Sequence, residues 1–322
     1  MTGKMLRLRM HFQKQEGVAL IIVLLVVTIL AGLILDFGYT ARVDLTLSGL
    51  NRDAIRARSL VQSGYAMGCV LLRNDTNGYD CLKDMWAKPD ILGLGSQLIK
   101  EEGQVAGSIV DENGKFNLNT LIDEHGVMNE PAYDQFLRLL YSLDLEPYLA
   151  NALTDWMDSD DRALPGGAEQ SFYASSGRIC KNAPLDSLRE LLLVRGFRPE
   201  FLWGTRTQEG LFSYITLHSD GKININTASE RVLKSLDDEI DDNLAMDILE
   251  YRKDKPFEST SDLKELPGVT ATLFARILSH ITVASSYFLI TVEGTVGDAT
   301  CRLTTVAHRQ ADKIRPLYWR WS

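Results

Sequence analysis

An uninterrupted apolar run near the N-terminus constrains this chain more than any other feature. Residues 18–35 contain no charged side chain, and Asp36 ends the run. A helix of this length is roughly 27 Å long at about 1.5 Å per residue, which matches the hydrocarbon core of a bilayer. The leader, residues 1–17, holds four Lys or Arg residues against one acidic residue. The positive-inside rule then predicts a cytoplasmic leader and an exported body.

The apolar run is too long for an ordinary secretory signal, whose apolar region spans about 7–15 residues before a small-x-small cleavage site. Apolar side chains continue at roughly helical spacing beyond Asp36, and the first proline is Pro89. One helix is therefore predicted from Val18 to about Arg73, roughly 84 Å long. Residues 18–35 would cross the membrane, and the remainder would pack against a soluble domain.

The composition predicts a globular, acidic chain, and the motif content predicts that it is not an enzyme. Its 322 residues are 45% hydrophobic and 24% charged, with a formal net charge of −9, which fits one or two domains. Such a charge argues against a general nucleic-acid binder, which needs cationic surface to displace counterions from phosphates. The sequence contains no GxSxG, P-loop or HExxH motif, so we predict no catalytic residues.

The cysteines leave the redox chemistry open. None of the four forms a CxxC motif, so a zinc ribbon or thioredoxin-type site is not expected. In an exported body one or two disulfides would form, and four cysteines allow three full pairings. Buried free thiols fit the sequence equally well. The four residues are Cys69, Cys81, Cys180 and Cys301.

Two similar segments introduce the body of the protein. NGKFNLNT, residues 113–120, is echoed by DGKININT, residues 220–227. Alternating residues around Asn113-Gly114 predict a β-hairpin. In both segments apolar residues alternate with asparagine before a threonine that can cap a helix. We interpret the similarity as two segments that each form a turn, then a strand, then the start of a helix.

Helical periodicity dominates the region between and after the two segments. A predicted hairpin of strands Tyr287–Glu293 and Thr300–Val306 follows it. This order predicts one α/β domain that is interrupted by a helical insertion. The predicted helices are Pro131–Leu143, Pro147–Met157, Leu185–Val194, Ser229–Leu236, Asp241–Lys253, Thr260–Leu266 and Thr270–Ile281.

An acidic loop is the best candidate binding site. Clustered carboxylates repel one another unless a cation or a basic partner offsets them, and oxygen ligands alone suit calcium. Gly166-Gly167 would let the backbone fold around an ion. The spacing is not that of an EF-hand, because Ala163 stands where the glycine belongs; a solvated loop with Arg162 as counter-charge is the alternative. The predicted ligands are Asp155, Asp158, Asp160, Asp161 and Glu169.

A second motif, FESTSDLKELPGVTATLFARILSHI, resembles a helix-hairpin-helix. Its hairpin is Pro267-Gly268-Val269, but Thr270 replaces the second glycine that lets backbone amides approach a phosphate in DNA-binding versions. The nearby charges are almost balanced. The motif therefore favours packing or a protein contact, and an exported DNA receptor of the competence type is the alternative function.

The junction at Gly17 and the long helix after it resemble type IV pilins and pseudopilins. The resemblance implies cleavage by a prepilin peptidase between Gly17 and Val18, followed by N-methylation of Val18. Most members carry glutamate at the fifth mature position, and this chain has Ile22 there. In the family that glutamate meets the terminal amine of the subunit ahead, so its absence implies a subunit with nothing in front of it.

The order of elements, the acidic segment 155–173 and the aromatic end LYWRWS are similar to the K-type minor pseudopilins of type II secretion systems. The resemblance implies a pseudopilus tip subunit that starts or caps the filament, partnered by I- and J-type minor pseudopilins and the major pseudopilin. It implies a single-pass inner-membrane protein with a periplasmic body, and calcium bound in the helical domain.

The expected fold class is α+β. A pilin-like long N-terminal helix and a small antiparallel sheet would carry a large all-helical inserted domain of the helix-hairpin-helix or SAM-like type. The expected divisions are a cleaved leader 1–17, a helix 18–73, an α/β domain 74–119 and 284–322, and an insertion 120–283.

Overall fold

The computed structural model describes residues 16–93, 103–311 and 313–322. The predicted leader lies outside these ranges apart from its last two residues. In chain order the helices and strands are α1 Glu16–Asn74, β1 Gln104–Asp111, β2 Phe116–Asn117, α2 Glu130–Ser142, α3 Tyr148–Met157, α4 Gln170–Ala174, α5 Pro199–Trp203, β3 Ile215–Thr216, β4 Ile223–Asn224, α6 Glu230–Ser235, α7 Asp242–Asp254, α8 Ala271–Ile277, β5 Ile281–Thr282, β6 Tyr287–Val296, β7 Ala299–Gln310, β8 Lys313–Pro316 and β9 Arg320–Trp321.

Helix α1 is continuous, as its unbroken apolar pattern predicts. Residues 17–40 are exposed, and this part of the helix is long and apolar enough to cross a membrane. Its second half packs on the sheet and buries Ala57, Val61 and Leu72 completely. A Cβ at Gly64 would lie 2.6 Å from Val292 Cγ1, so glycine lets helix and sheet approach closely here.

The sheet is antiparallel, with the order β1-β6-β7-β8 and with β9 added to β7. Alternate residues of β6 face α1, and Phe288, Ile290 and Val292 are fully buried there. The other face of β6 is half-buried, which is the period-two pattern of a strand with one packed face. The predicted β6–β7 hairpin is confirmed, and it extends further than the sequence indicated.

The predicted hairpin at Asn113-Gly114 is wrong. Strand β1 pairs along its length with β6, and Asp111 lies opposite Phe288. Strand β2 instead pairs in parallel with β3. The turn residues were read correctly as a turn, but local sequence could not show that the partner of β1 lies far along the chain.

The helical insertion thus takes the place of a hairpin turn between β1 and β6. The chain leaves the sheet after Asp111 and returns at Tyr287, whose carbonyl accepts a hydrogen bond from the Glu112 amide at 2.9 Å. The insertion has its own hydrophobic core, which includes Phe116 and Leu118, and the α/β body has another. The boundary therefore falls near residue 112, earlier than the expected 120.

The insertion consists of two copies of one structural unit. Apart from further short 3₁₀ segments, residues 116–216 run β2, α2, α3, α4, a 3₁₀ helix, α5 and β3, and residues 223–282 run β4, α6, α7, a 3₁₀ helix, α8 and β5. Helix α4 has no counterpart in the second unit. In each unit the first and last strands pair in parallel. The insertion is therefore the expected helical domain, with one short parallel strand pair added in each unit, and the sequence echo marks the start of each unit.

The asparagines of the echo explain why the two segments are alike. The Asn119 amide accepts from the Leu185 N–H at 2.8 Å and donates to the Leu185 carbonyl at 3.0 Å. Asn226 makes the same pair of bonds to Phe257, both at 2.9 Å. Each asparagine thus ties the start of its unit to the segment that precedes the 3₁₀ helix.

The two helices predicted at 185–194 and 260–266 are 3₁₀ helices, Leu188–Leu193 and Thr260–Glu265. Each begins with a capping box, formed by Ser187 with Glu190 or by Ser259 with Asp262. Short 3₁₀ helices of this kind serve as connectors. The remaining five predicted helices are present with their ends shifted by a few residues.

Candidate functional site

Three of the five predicted metal ligands converge at one point of the first unit. Asp155 lies in the last turn of α3, Asp158 follows the helix, and Glu169 precedes α4. One carboxylate oxygen from each lies within 4.8 Å of the others. Asp160 and Asp161 are exposed and outside this group. The carboxylate centre is therefore Asp155, Asp158 and Glu169.

Asp155 shapes the loop that brings Glu169 to the centre. Both of its oxygens accept the Leu164 N–H at 3.1 Å. A Cβ at Gly167 would lie 1.9 Å from Asp155 Oδ2, so only glycine lets the backbone pass this close. Both glycines have a role in the loop: Gly166 adopts a left-handed backbone, with φ +78°, and Gly167 makes room for the carboxylate.

The centre lacks the hydrogen bonds that buried carboxylates normally make. Oδ1 of Asp158 and both carboxylate oxygens of Glu169 are buried without a hydrogen-bond partner among the described residues. Glu169 is only 2% exposed and Asp158 only 8%. Buried polar atoms are nearly always satisfied, and an exception points to a missing water or ion.

The electrostatics of the centre are repulsive. Burial, with added repulsion from neighbouring carboxylates, raises the pKa of Asp158 and of Glu169 to about 7. Burial also raises the pKa of Asp155, although the Leu164 and Ala168 amides oppose the shift. No ion pair within the described ranges includes any of the three. Arg162, the expected counter-charge, is exposed.

These residues fit a hard divalent cation. Three carboxylates without a cationic partner among the described residues offer oxygen ligands, which calcium prefers. Cys180 lies nearby, but its thiol contacts the Asp155 carbonyl at 3.5 Å and is not one of the groups that converge, so the converging set lacks the sulfur and nitrogen ligands that zinc sites favour. The carboxylate centre is thus a better match for calcium than for zinc.

A second acidic group, which the sequence analysis missed, lies between the end of α1 and the body. Asp75, Asp80 and Asp84 also bring one oxygen each within 4.8 Å. Here an arginine of the chain offsets part of the negative charge of the carboxylates. Arg309 donates to Asp80 Oδ1 at 2.6 Å and lies 3.6 Å from Asp75. Trp86 donates to Asp75 at 3.0 Å.

This second group continues into a buried polar network at the base of the insertion. Asp111 Oδ2 accepts from the Ser285 hydroxyl at 2.6 Å and from the Asn224 amide at 3.1 Å. The Ser285 amide donates to Asp80 at 2.6 Å. Burial raises the pKa of Asp111 to about 6. The network joins the two segments that enter and leave the insertion.

The helix-hairpin-helix motif is used for packing within the second unit. Leu263, Leu273 and Phe274 are buried in the core of the insertion. A Cβ at Gly268 would touch Leu244 at 3.0 Å, so the hairpin glycine lies against α7. Arg276 is paired with carboxylates of its own unit. The contacts support the packing interpretation of this motif.

The four cysteines are free thiols, which is one of the two alternatives that the sequence left open. Each lies in a different part of the fold. Cys69 is on α1 and Cys301 on β7, Cys81 follows α1, and Cys180 lies in the insertion beside Asp155, whose carbonyl its thiol contacts at 3.5 Å.

The predicted processing site lies at the start of α1. Gly17 and Val18 are in its first turn and both are exposed. Ile22, at the predicted fifth mature position, is 54% exposed and lies within the apolar stretch. The position has no carboxylate to bury, which suits a helix in lipid because a charge there is costly.

Comparison with known proteins identifies relatives along nearly the whole chain. Two family models, both described as type II secretion system (T2SS), protein K, match residues 114–204 and 223–284. These ranges correspond to the two repeated units. Type II secretion system protein K of Pseudomonas aeruginosa is 28% identical over 94% of this chain and 92% of its own. Type II secretion system protein K of Klebsiella pneumoniae is 25% identical over 92% of this chain and 93% of its own length.

A solved structure has the same fold. It is a chain from the crystal structure of the GspK-GspI-GspJ complex of the enterotoxigenic Escherichia coli type 2 secretion system, and it matches with a TM-score of 0.64. The match covers 88% of this chain and 99% of that chain, at 20% sequence identity. The predicted resemblance is confirmed: the chain is a relative of type II secretion system protein K.

Proposed function

We propose that this relative of protein K is a minor pseudopilin at the tip of a type II secretion pseudopilus. There it starts or caps the filament and partners I- and J-type minor pseudopilins and the major pseudopilin. The solved relative comes from a GspK-GspI-GspJ complex, which supports this choice of partners. Helix α1 anchors the chain in the inner membrane with its body in the periplasm.

The position of the insertion carries the proposal. Its base lies at the far end of α1 from the apolar run, because the Asp80 amide bonds to the Val283 carbonyl at 2.8 Å and Arg309 reaches the Leu72 carbonyl at 3.4 Å. The helix is about 88 Å long at about 1.5 Å per residue. The insertion, which has its own core, lies over this end of α1 and would obstruct another subunit stacked above the chain.

Deleting the insertion tests this steric role. Because β1 and β6 are adjacent, an Asn-Gly turn in place of residues 112–287 should rejoin them as a two-residue hairpin. The shortened chain should keep the membrane anchor but lose the ability to start filaments. Pseudopilus assembly in cells lacking the parent chain measures this. Normal assembly with the shortened chain would contradict a steric tip role.

Processing of the N-terminus is a separate part of the proposal. A prepilin peptidase would cut after Gly17 and leave an N-methylated Val18. The mass of the mature N-terminal peptide from the native host decides this directly. An intact leader would leave a simple membrane anchor and remove the basis for the tip role.

Ile22 distinguishes the tip from the shaft. With Ile22→Glu, assembly should change little, because a tip subunit has no terminal amine ahead of it to meet. The location of the labelled variant along isolated filaments measures the outcome. Incorporation throughout the shaft would count against the tip position.

We further propose that the carboxylate centre binds calcium as a structural ion. The buried oxygens of Asp158 and Glu169 without donors support this. Bound calcium would neutralise the carboxylates and hold the loop of residues 158–169 against α3. The full chain in detergent should melt at a higher temperature in calcium than in chelator. An unchanged melting temperature would defeat the proposal.

A further inference from the structure

The described side-chain atoms that are buried without a partner all lie in one region. They belong to Thr154, Trp156, Asp158, Glu169 and Asn182. Asp158 and Glu169 are members of the carboxylate centre, whereas Asn182 comes from a later segment. Its amide oxygen, Oδ1, is an acceptor with two lone pairs that receives no donor.

The other groups of Asn182 fix its position beside the centre. Its backbone N–H donates to the Trp156 carbonyl at 3.0 Å, and its side-chain Nδ2 donates to the Asp160 carbonyl at 3.4 Å. These two bonds span the turn that carries Asp158. Since Nδ2 is engaged by the turn, Oδ1 is the side-chain atom left to receive something else.

The backbone of Asn182 is also unusual. Its φ is +46°, in the left-handed region that only a few per cent of non-glycine residues adopt. Such conformations carry a cost and cluster at ligand clamps. Asparagine tolerates this region better than most residues, and here it also carries a free oxygen.

We propose that Asn182 supplies a neutral amide oxygen to the cation held by Asp155, Asp158 and Glu169. This inference rests on the calcium binding proposed above. Calcium takes six to eight oxygen ligands, including amide carbonyls, so three carboxylates leave places in its coordination shell. A neutral ligand fills one of them without adding to the repulsion among the carboxylates.

The repeated units show what this ligand would accomplish. Asn182-Ala183-Pro184-Leu185 of the first unit corresponds to Asp254-Lys255-Pro256-Phe257 of the second, since Leu185 and Phe257 bind equivalent asparagines. The second unit joins α7 to this motif directly, whereas the first inserts residues 158–181. Asp158 is the first residue of this inserted loop, and Asn182 follows its last residue. A cation bound by both would hold the two ends of the loop together, which favours the folded state.

Two substitutions at Asn182 test the proposal on the full chain in detergent, titrated with calcium chloride by calorimetry. Asn182→Gly removes the oxygen but accepts the left-handed backbone, and it should weaken calcium binding at least about tenfold, the scale of losses seen at supporting residues. Asn182→Asp keeps an oxygen and adds charge, so it should bind calcium at least as tightly as the parent. Asp144→Gly, at an exposed residue that also has a left-handed backbone, is the matched control and should leave the affinity unchanged.

The outcomes separate the two proposals. If the parent binds calcium and both Asn182 variants bind it with the parent affinity, Asn182 is not a ligand, while the calcium site stands. If the parent shows no binding, the calcium site and the ligand role both fail. Should Asn182→Gly not fold, tighter calcium binding by Asn182→Asp than by the parent would support the proposal, and parent or weaker affinity would overturn it.

Discussion

Two groups of three carboxylates in this protein have the same spacing and opposite surroundings. At the base of the insertion, Arg309 donates to Asp80 and Trp86 donates to Asp75, so part of the negative charge is offset within the chain. In the first repeated unit no side-chain cation pairs with Asp158 or Glu169 in the described ranges, and their buried oxygens lack donors.

The difference shows that an acidic cluster alone does not indicate a metal site. In both groups the three carboxylates lie equally close together, but among the described residues only the carboxylate centre has no cationic partner and has buried oxygens without hydrogen-bond donors. Carboxylates that already hold an arginine gain little from a metal, whereas buried unpaired ones need a cation or a proton. Three experiments test this contrast.

The largest expected effect is at the arginine. Arg309→Leu would leave Asp80, which is buried, without its charge partner and should destabilise the body by about 3–5 kcal/mol. Urea denaturation of the full chain in detergent measures the change. Arg315→Leu, at an exposed position on β8, should stay within about 0.5 kcal/mol. A similar small effect at Arg309 would mean that the pair is not needed.

Calcium should distinguish the two groups. At a concentration of about 100 times the dissociation constant, a ligand stabilises the native state by about 2.7 kcal/mol. Glu169→Gln should abolish most of this gain and should stabilise the metal-free protein by relieving repulsion. The difference between melting temperatures in calcium and in chelator reports both effects. Asp84→Asn, in the arginine-paired group, should keep the parent response to calcium; loss of that response would break the comparison.

The smallest expected effect is a dependence on pH in chelator. The pKa values of Asp158 and Glu169 are raised to about 7 from 3.8 and 4.5. A raised pKa in the folded state means that the protonated form favours folding, fully below about pH 4 and less as the pH rises through about 7. The metal-free protein should therefore melt higher at pH 6 than at pH 8. Saturating calcium should cancel or reverse this trend, because calcium binds the ionised carboxylates.

Much of the fold follows from local sequence patterns. Helix α1 was predicted at 18–73 and runs from Glu16 to Asn74, because an apolar stretch without proline has little alternative to a helix. The β6–β7 hairpin was also predictable, since its strands are adjacent in sequence and alternate in burial. The pairing of β1 with β6 was not, because no local signal connects residues that lie on either side of an insertion.

The carboxylate centre was only partly predictable for the same reason. The acidic loop was visible in the sequence, but five acidic residues within a short span do not show which of them turn inward. That choice depends on the close passage of Gly167 by Asp155 and on the hydrogen bond from Leu164. Asn182 gave no signal at all, because its unusual φ and its unpaired oxygen exist only in the folded chain.

The adjacent entry and exit of the insertion have a mechanical consequence. A pull along α1 is carried into the sheet through its packing on β6 and β7, and the path of the force never runs through the insertion. A push on the insertion, by contrast, is transmitted at its base, where Asp111, Ser285 and Asp80 are cross-linked by hydrogen bonds and Lys83 donates to the Asp254 carbonyl. This base is thus the joint between the α1 shaft and the insertion that it carries.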